Sequence, residues 1–335
     1  MIRRFSRRAF VSSLAALAAS PAIVFKPQSA YAQQPALPRR IGIFLMAFSP
    51  ESKEAQAFRQ ALRDAGYSEG RDVVIEWRSA NGNYDRLPEL AADLVRRELD
   101  VIVVDSTPTA QAVKRATSTI PIVMVIVADP VGSGLVTSLA HPGGNVTGLS
   151  LMAAELWAKR LQLLKDTIPR LTRVAVLSNP RVPWYPKAVE RLKAVAPSLS
   201  IQLSFVSVRT PEEIGPAFLA VSRARAQALY VFSDALLIVH RGTVIRLASK
   251  AGLPTIFSER RFPDEGGLMS YGPNWPQAWR RSVGYVDKIL RGAKPGDLPI
   301  EQPTKFELVV NLKTAKAIGV TFPEAFMVRV DRVIE

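Results

Sequence analysis

Phe48-Ser49, Asp105-Ser106-Thr107-Pro108, Asp129-Pro130, Ser178-Asn179, Trp184-Tyr185, Ser233-Asp234, Ser258-Glu259 and Tyr271 are the residues of this 335-residue chain whose types and spacing could do chemistry. Most of them directly follow a short apolar run. Hydroxyls before Pro108 make a helix start whose open N–H groups suit an anion such as a carboxylate. Asp234 suits an ammonium group, Asp129-Pro130 suits direct ligand contact, and the rings of Phe48, Trp184, Tyr185 and Tyr271 suit an apolar or aromatic part. Such a set suits a small polar or zwitterionic ligand with an aromatic or apolar part. It serves proton transfer poorly, because it holds no histidine or lysine. The chain's two histidines, His141 and His240, fall in a turn and inside a helix, and cysteine is absent. Thiolate metal centres, disulfides, cysteine nucleophiles and a serine–histidine triad are therefore poorly supported, and neither a metal nor a cofactor is expected.

Each residue also has a purely structural reading. Ser106 before Thr107-Pro108 is a good helix cap, Asp129-Pro130 a turn, and Asp234 a cap for a helix beginning at 235. Trp184-Tyr185, flanked by Pro183 and Pro186, reads as a loop anchored by its rings.

The elements that would position these side chains alternate. Short runs rich in β-formers at 40–46, 72–77, 101–104, 121–127 and 147–150 are separated by helical spacing at 51–65, 84–99 and 109–117. The pattern restarts after Pro142-Gly143-Gly144. Strands are expected at 173–177, 201–208, 228–232, 254–257 and 267–271, with helices at 153–167, 186–196, 212–225, 235–251 and 275–291. Such alternation predicts two similar doubly wound α/β lobes with parallel sheets and a boundary near 148–151. Ligands of such sheets bind beyond the carboxyl ends of the strands, where the residues named above stand.

The net charge is +15, of which Arg3, Arg4, Arg7, Arg8 and Lys26 supply +5 within residues 1–32. Elsewhere bases alternate with acids, so no nucleic-acid stripe is expected. Residues 1–32 read as an export leader: a basic start, an apolar stretch over 9–24, and a cleavage site at Ala30-Tyr31-Ala32. Ser6-Arg7-Arg8-Ala9-Phe10-Val11 resembles the twin-arginine translocation motif. A soluble mature chain beginning at Gln33 in the periplasm is expected.

Several stretches together resemble a family of ABC-transporter substrate-binding proteins that includes tryptophan- and phenylalanine-binding members. They are Gly66-Tyr67-Ser68-Glu69-Gly70-Arg71-Asp72-Val73, Ala128-Asp129-Pro130-Val131-Gly132-Ser133-Gly134-Leu135-Val136 and Pro142-Gly143-Gly144-Asn145-Val146-Thr147-Gly148. Gly267-Leu268-Met269-Ser270-Tyr271-Gly272-Pro273-Asn274 and Leu298-Pro299-Ile300-Glu301-Gln302-Pro303-Thr304-Lys305-Phe306 continue the similarity to the C-terminal part. The resemblance implies the type I periplasmic-binding-protein fold, two lobes joined by three crossing segments with a ligand cleft between them. It assigns 33–148 and 274–305 to one lobe, and 149–273 and 306–335 to the other.

It also implies an amino-acid ligand whose carboxylate lies at Ser106-Thr107-Pro108 and whose amino group meets Asp234, with Asp129-Pro130 and Asn179 lining the same cleft. The partners it implies are a small-molecule ligand and a membrane permease with its cytoplasmic ATPase; the protein itself is expected to be monomeric. A sensory component that presents its closed form to a receptor is a second reading. A periplasmic α/β enzyme acting through Asp129, Asp234 or Glu259 is a third.

Overall fold

The computed structural model describes residues 37–335 apart from Met152 and Thr304. The leader expected over 1–32, with its arginine motif and cleavage point, lies outside the described residues.

Two sheets organise the chain. The first holds β1 (Arg39–Leu45), β2 (Val73–Ser79), β3 (Val101–Val104), β4 (Ile122–Ala128) and β5 (Val146–Leu151) in the order β2-β1-β3-β4-β5, all parallel. β3 is Val-Ile-Val-Val and every residue of it is buried, as a strand covered on both faces requires. Alternate side chains leave on opposite faces. Phe44, Ile102, Val104 and Met124 therefore build one core layer, while Ile43, Val101, Val103 and Val123 build the other.

The second sheet holds β6 (Arg173–Ser178), β7 (Gln202–Ser207), β8 (Ala228–Val231), β9 (Thr255–Phe257), β10 (Met269–Pro273), β11 (Phe306–Asn311) and β12 (Arg332–Ile334). Its order is β12-β11-β10-β9-β8-β6-β7, and β10 with β11 is its antiparallel pair. The lobes are thus less alike than the alternation suggests, seven strands against five. β11 follows a Pro-rich stretch, and the helix before it packs on the other lobe, so β11 continues no βα rhythm of its own sheet.

Between β10 and β11 the helix Trp275–Leu290 leaves the second sheet and packs on the first lobe beside the helix Lys53–Asp64. Its Trp279, fully buried, meets Phe58 edge-on at 5.7 Å between ring centroids. Truncating such a ring to alanine ordinarily costs about 3–5 kcal/mol. Three segments cross between the lobes: after Leu151, at Pro273–Asn274, and from Glu301 to Phe306. The first and third are stitched together, Ser150 N–H donating to the Glu301 carbonyl at 2.8 Å and Glu301 N–H to that of Gly148 at 3.1 Å.

Two local expectations are corrected. The helix expected over 235–251 is two, Ala235–Val239 and Arg241–Lys250, because His240 departs from helical geometry (φ −95°, ψ 22°) and stands at the junction. Trp184-Tyr185 is not a free loop: Tyr185 opens the helix Tyr185–Val195, with Trp184 at its cap position and Pro186 in its first turn.

Candidate functional site

The carboxyl ends of β1, β3 and β4 face those of β6, β8 and β9 across the gap between the lobes. Met46, Phe48, Tyr84, Asp105, Ser106, Thr107 and Pro108 line the first wall together with Trp275; Val182, Trp184, Ser233, Asp234 and Glu259 line the second. The cavity among them is about 90 Å³. Small-molecule sites usually offer roughly 300–1,000 Å³, so admitting an amino acid widens this cleft.

On the first wall, Ser106 caps the helix Thr107–Ala116: its hydroxyl accepts from Thr109 N–H at 3.4 Å, and Ser106 N–H donates to the Thr109 hydroxyl at 3.2 Å. Pro108 has no N–H, so of the first helical donors Thr107 N–H is left open at the positive end of the helix dipole. The Thr107 hydroxyl donates to the Ala128 carbonyl at 3.2 Å and ties this terminus to the end of β4. Asp105 lies beneath, 2% exposed, its two oxygens each 2.9 Å from Met46 N–H. Burial pushes its carboxyl up to about 7, against the Met46, Ser106 and Thr109 donors that pull it down.

On the second wall Asp234 caps the short helix after β8, accepting from Leu237 N–H at 3.2 Å, and accepts from the Tyr84 hydroxyl of the opposite lobe at 2.5 Å. Burial raises its pKa, while Tyr84, Leu237 N–H and the Asn179 amide oppose the rise. Burial and the Asp234 charge in turn raise the Tyr84 phenol well above its usual range. Glu259 is also raised by burial, with Arg261 opposing at 2.9 Å; the Ser233 hydroxyl donates to it at 3.3 Å. Rings enclose the rest. Phe48 packs against Trp275 at 5.4 Å and carries the Arg261 guanidinium at 4.3 Å, and Trp184 stacks on Trp157 at 5.5 Å.

The rim is closed by ion pairs between lobes: Asp85 with Arg181 at 2.5 Å, Asp129 with Lys187 at 2.5 Å, and Glu54 with Arg261 at 2.9 Å. At Gly82 (φ +77°) the backbones nearly touch, since a Cβ there would meet the Ala235 carbonyl oxygen at 3.3 Å and Val239 at 3.2 Å.

Of the residues singled out in the sequence, Phe48, Asp105, Ser106, Thr107, Pro108, Trp184, Ser233, Asp234 and Glu259 come together here. The others do not line this cavity. Ser49 is exposed, its carbonyl taken by Ser52 N–H. Asp129 sits in the left-handed region (φ +47°) and turns outward to Lys187, with Pro130 beside it in a neighbouring hollow. Asn179 is fully buried behind Asp234, its amide oxygen taken by Arg181 N–H. Tyr185 leans on Phe232, and Tyr271 packs near Phe306 while its carbonyl accepts from the buried Arg160. Tyr84 and Trp275 escape a strand-end search because they open helical segments. Asp105 and Glu259 stand at strand ends; in the sequence Glu259 draws only the catalytic role of the enzyme reading, and Asp105 none of its own.

Two α/β lobes joined by three crossings, with a cleft walled by strand ends of both, make the type I periplasmic-binding-protein fold. The chain belongs to the ABC transporter substrate binding protein family, whose model matches residues 47–334. It is 29% identical over 282 residues to a tyrosine-binding protein of Clostridioides difficile, covering 84% of this chain and 81% of that one. The solved structure of an ABC domain in complex with L-Trp from Streptococcus pneumonia is 26% identical and superposes with a TM-score of 0.82, over 89% of this chain and 100% of the other. A ligand-free, open structure of a substrate binding protein with adhesive properties from Clostridium difficile, 27% identical, gives 0.64 over 88% and 99%. At nearly equal identity the lobe arrangement is nearer to the ligand-bound relative.

Proposed function

We propose that this protein captures an aromatic amino acid between its lobes in the periplasm and delivers it to a membrane permease driven by a cytoplasmic ATPase. The observation that carries this reading is the opposition of the walls: an open helix N-terminus with hydroxyls on one lobe, a buried carboxylate on the other, and aromatic rings between them. A zwitterion is then read by both lobes at once, which couples binding to closure. Reversing an open-to-closed ratio from 99:1 to 1:99 takes about 5.5 kcal/mol of differential affinity, and only contacts from both lobes supply it. The ligands printed for the tyrosine-binding and L-Trp-bound relatives support the aromatic class.

On this reading the protein makes and breaks no bonds, acts as a monomer, binds no nucleic acid, and reaches its compartment by the twin-arginine route. Thermal unfolding with L-tyrosine and L-tryptophan tests the ligand. A ligand at 100 times its Kd adds about 2.7 kcal/mol of stability, whereas no shift with either one refutes the amino-acid reading.

A further inference from the structure

We infer that the cleft selects a ring bearing a hydroxyl group, L-tyrosine over L-phenylalanine with L-tryptophan between them, and that Trp275 and Glu259 read that hydroxyl as a pair. The inference rests on the proposed function for the amino-acid end of the ligand, at Ser106, Thr107 and Asp234; it concerns the far end of the ring.

Two unpartnered atoms carry it. Of the buried side-chain polar atoms that lack a hydrogen-bond partner among the described residues, the indole nitrogen of Trp275 and Oε2 of Glu259 belong to residues lining the cleft. One is a donor, the other an acceptor. Glu259 is 1% exposed, and its Oε1 is taken by the Ser233 hydroxyl at 3.3 Å. Oε2 lies 2.9 Å from Arg261 Nε, an ion pair whose angle makes no hydrogen bond. Buried Arg160, held by the Tyr271 carbonyl at 2.6 Å, adds a second positive charge nearby, and Glu54 shares Arg261. Two acids thus face two bases. The site asks its ligand for hydrogen bonds there, not for a charge.

Trp275 and Glu259 also border a hollow of about 590 Å³ beside the cleft. They therefore stand on the side toward which a cavity of about 90 Å³ can widen to take a ring. Phe48, 5.4 Å from Trp275 between ring centroids, supplies an apolar face there. A phenol hydroxyl donates one hydrogen bond and accepts another, so it satisfies both atoms at once. An indole N–H only donates; it serves Glu259 and leaves Trp275 unpaired. A phenyl ring serves neither. A site built to hydrogen-bond a hydroxyl rejects the analogue lacking it far more strongly than an apolar pocket rejects a change of size, because its buried polar groups are left unpaired.

Titration calorimetry with L-tyrosine, L-tryptophan and L-phenylalanine on the purified protein tests the inference. L-Tyrosine is expected to bind about 100-fold more tightly than L-phenylalanine, with L-tryptophan between them. Trp275→Phe keeps a ring against Phe48 and removes the donor; it is expected to weaken L-tyrosine about tenfold more than L-phenylalanine. A packing or hinge role alone would weaken both alike. O-methyl-L-tyrosine has an oxygen for Trp275 but no hydrogen for Glu259. On the unmodified protein it is expected to lose most of the advantage of L-tyrosine, which covers a variant that fails to fold. L-Phenylalanine within about threefold of L-tyrosine, or L-tryptophan tighter than L-tyrosine, overturns the inference while leaving the amino-acid reading intact. So does an equal loss for both ligands in Trp275→Phe, or O-methyl-L-tyrosine binding as tightly as L-tyrosine. Failure of all these amino acids to bind refutes that reading, and the inference with it.

Discussion

Replacing Asp234 by asparagine separates its two possible roles, helix cap and ligand anchor. The carboxylate is 3% exposed, one oxygen accepting from Leu237 N–H at 3.2 Å and the other from the Tyr84 hydroxyl at 2.5 Å. Asparagine caps as well as aspartate, so the helix start survives, and its amide can donate to the Tyr84 oxygen. Only the charge is lost. A hydrogen bond to a charged group is worth about 1.5–3 kcal/mol, so affinity for L-tyrosine or L-tryptophan should fall roughly 10- to 150-fold. Folding stability moves the other way. Burial raises the Asp234 pKa in the folded protein, so its contribution is full below the ordinary carboxylate range and is lost as pH rises through the raised value. Above that window the ligand-free variant should be as stable as the parent or more so. Titration calorimetry reads the affinity and thermal unfolding reads the stability. Unchanged affinity, or a stability loss in the ligand-free variant equal to the binding loss, returns Asp234 to the role of a cap.

Tyr84→Phe removes the hydroxyl that bridges the lobes, so the ligand-free protein should populate wider states and show a larger radius of gyration by X-ray scattering; superimposable curves refute a bridging role. Asp105→Asn should flatten the dependence of stability on pH: with a folded pKa of about 7, the parent loses up to ~4 kcal/mol between about pH 4 and 7, and the variant should not. Replacing Arg7 and Arg8 together by lysine should leave precursor in the cytoplasm, as a fractionation blot would show; normal processing rules out the twin-arginine route.

The alternating rhythm revealed the first sheet almost completely, because its strands are continuous runs such as Val101–Val104 set between well-spaced helices. The second sheet was legible through β10 and then faded. β11 and β12 depend on pairing with distant β10, and such pairing leaves no local periodicity. The strand-end rule pointed to Ser106, Thr107 and Asp234, which line the cleft, because a helix start at a strand end asks for capping residues there. Asp129, also at a strand end, pairs with Lys187 beside a neighbouring hollow, a placement that depends on the other lobe. The rule passed over Tyr84, whose place in the cleft follows from the opposite lobe supplying Asp234. Contacts made by closing two bodies are written in neither body's own pattern.

The rim pairs share a polarity. Glu54, Asp85 and Asp129 stand on the first lobe, and Arg261, Arg181 and Lys187 answer them from the second. When the lobes part, these charges separate along the direction of motion, and the molecule's electric dipole grows. Closing shrinks it again. Because the attraction reaches about 8–10 Å at ordinary ionic strength, it orients the approaching lobes before any contact forms. Dielectric relaxation could therefore follow the hinge in unlabelled protein, as a fall in dipole moment when ligand is added.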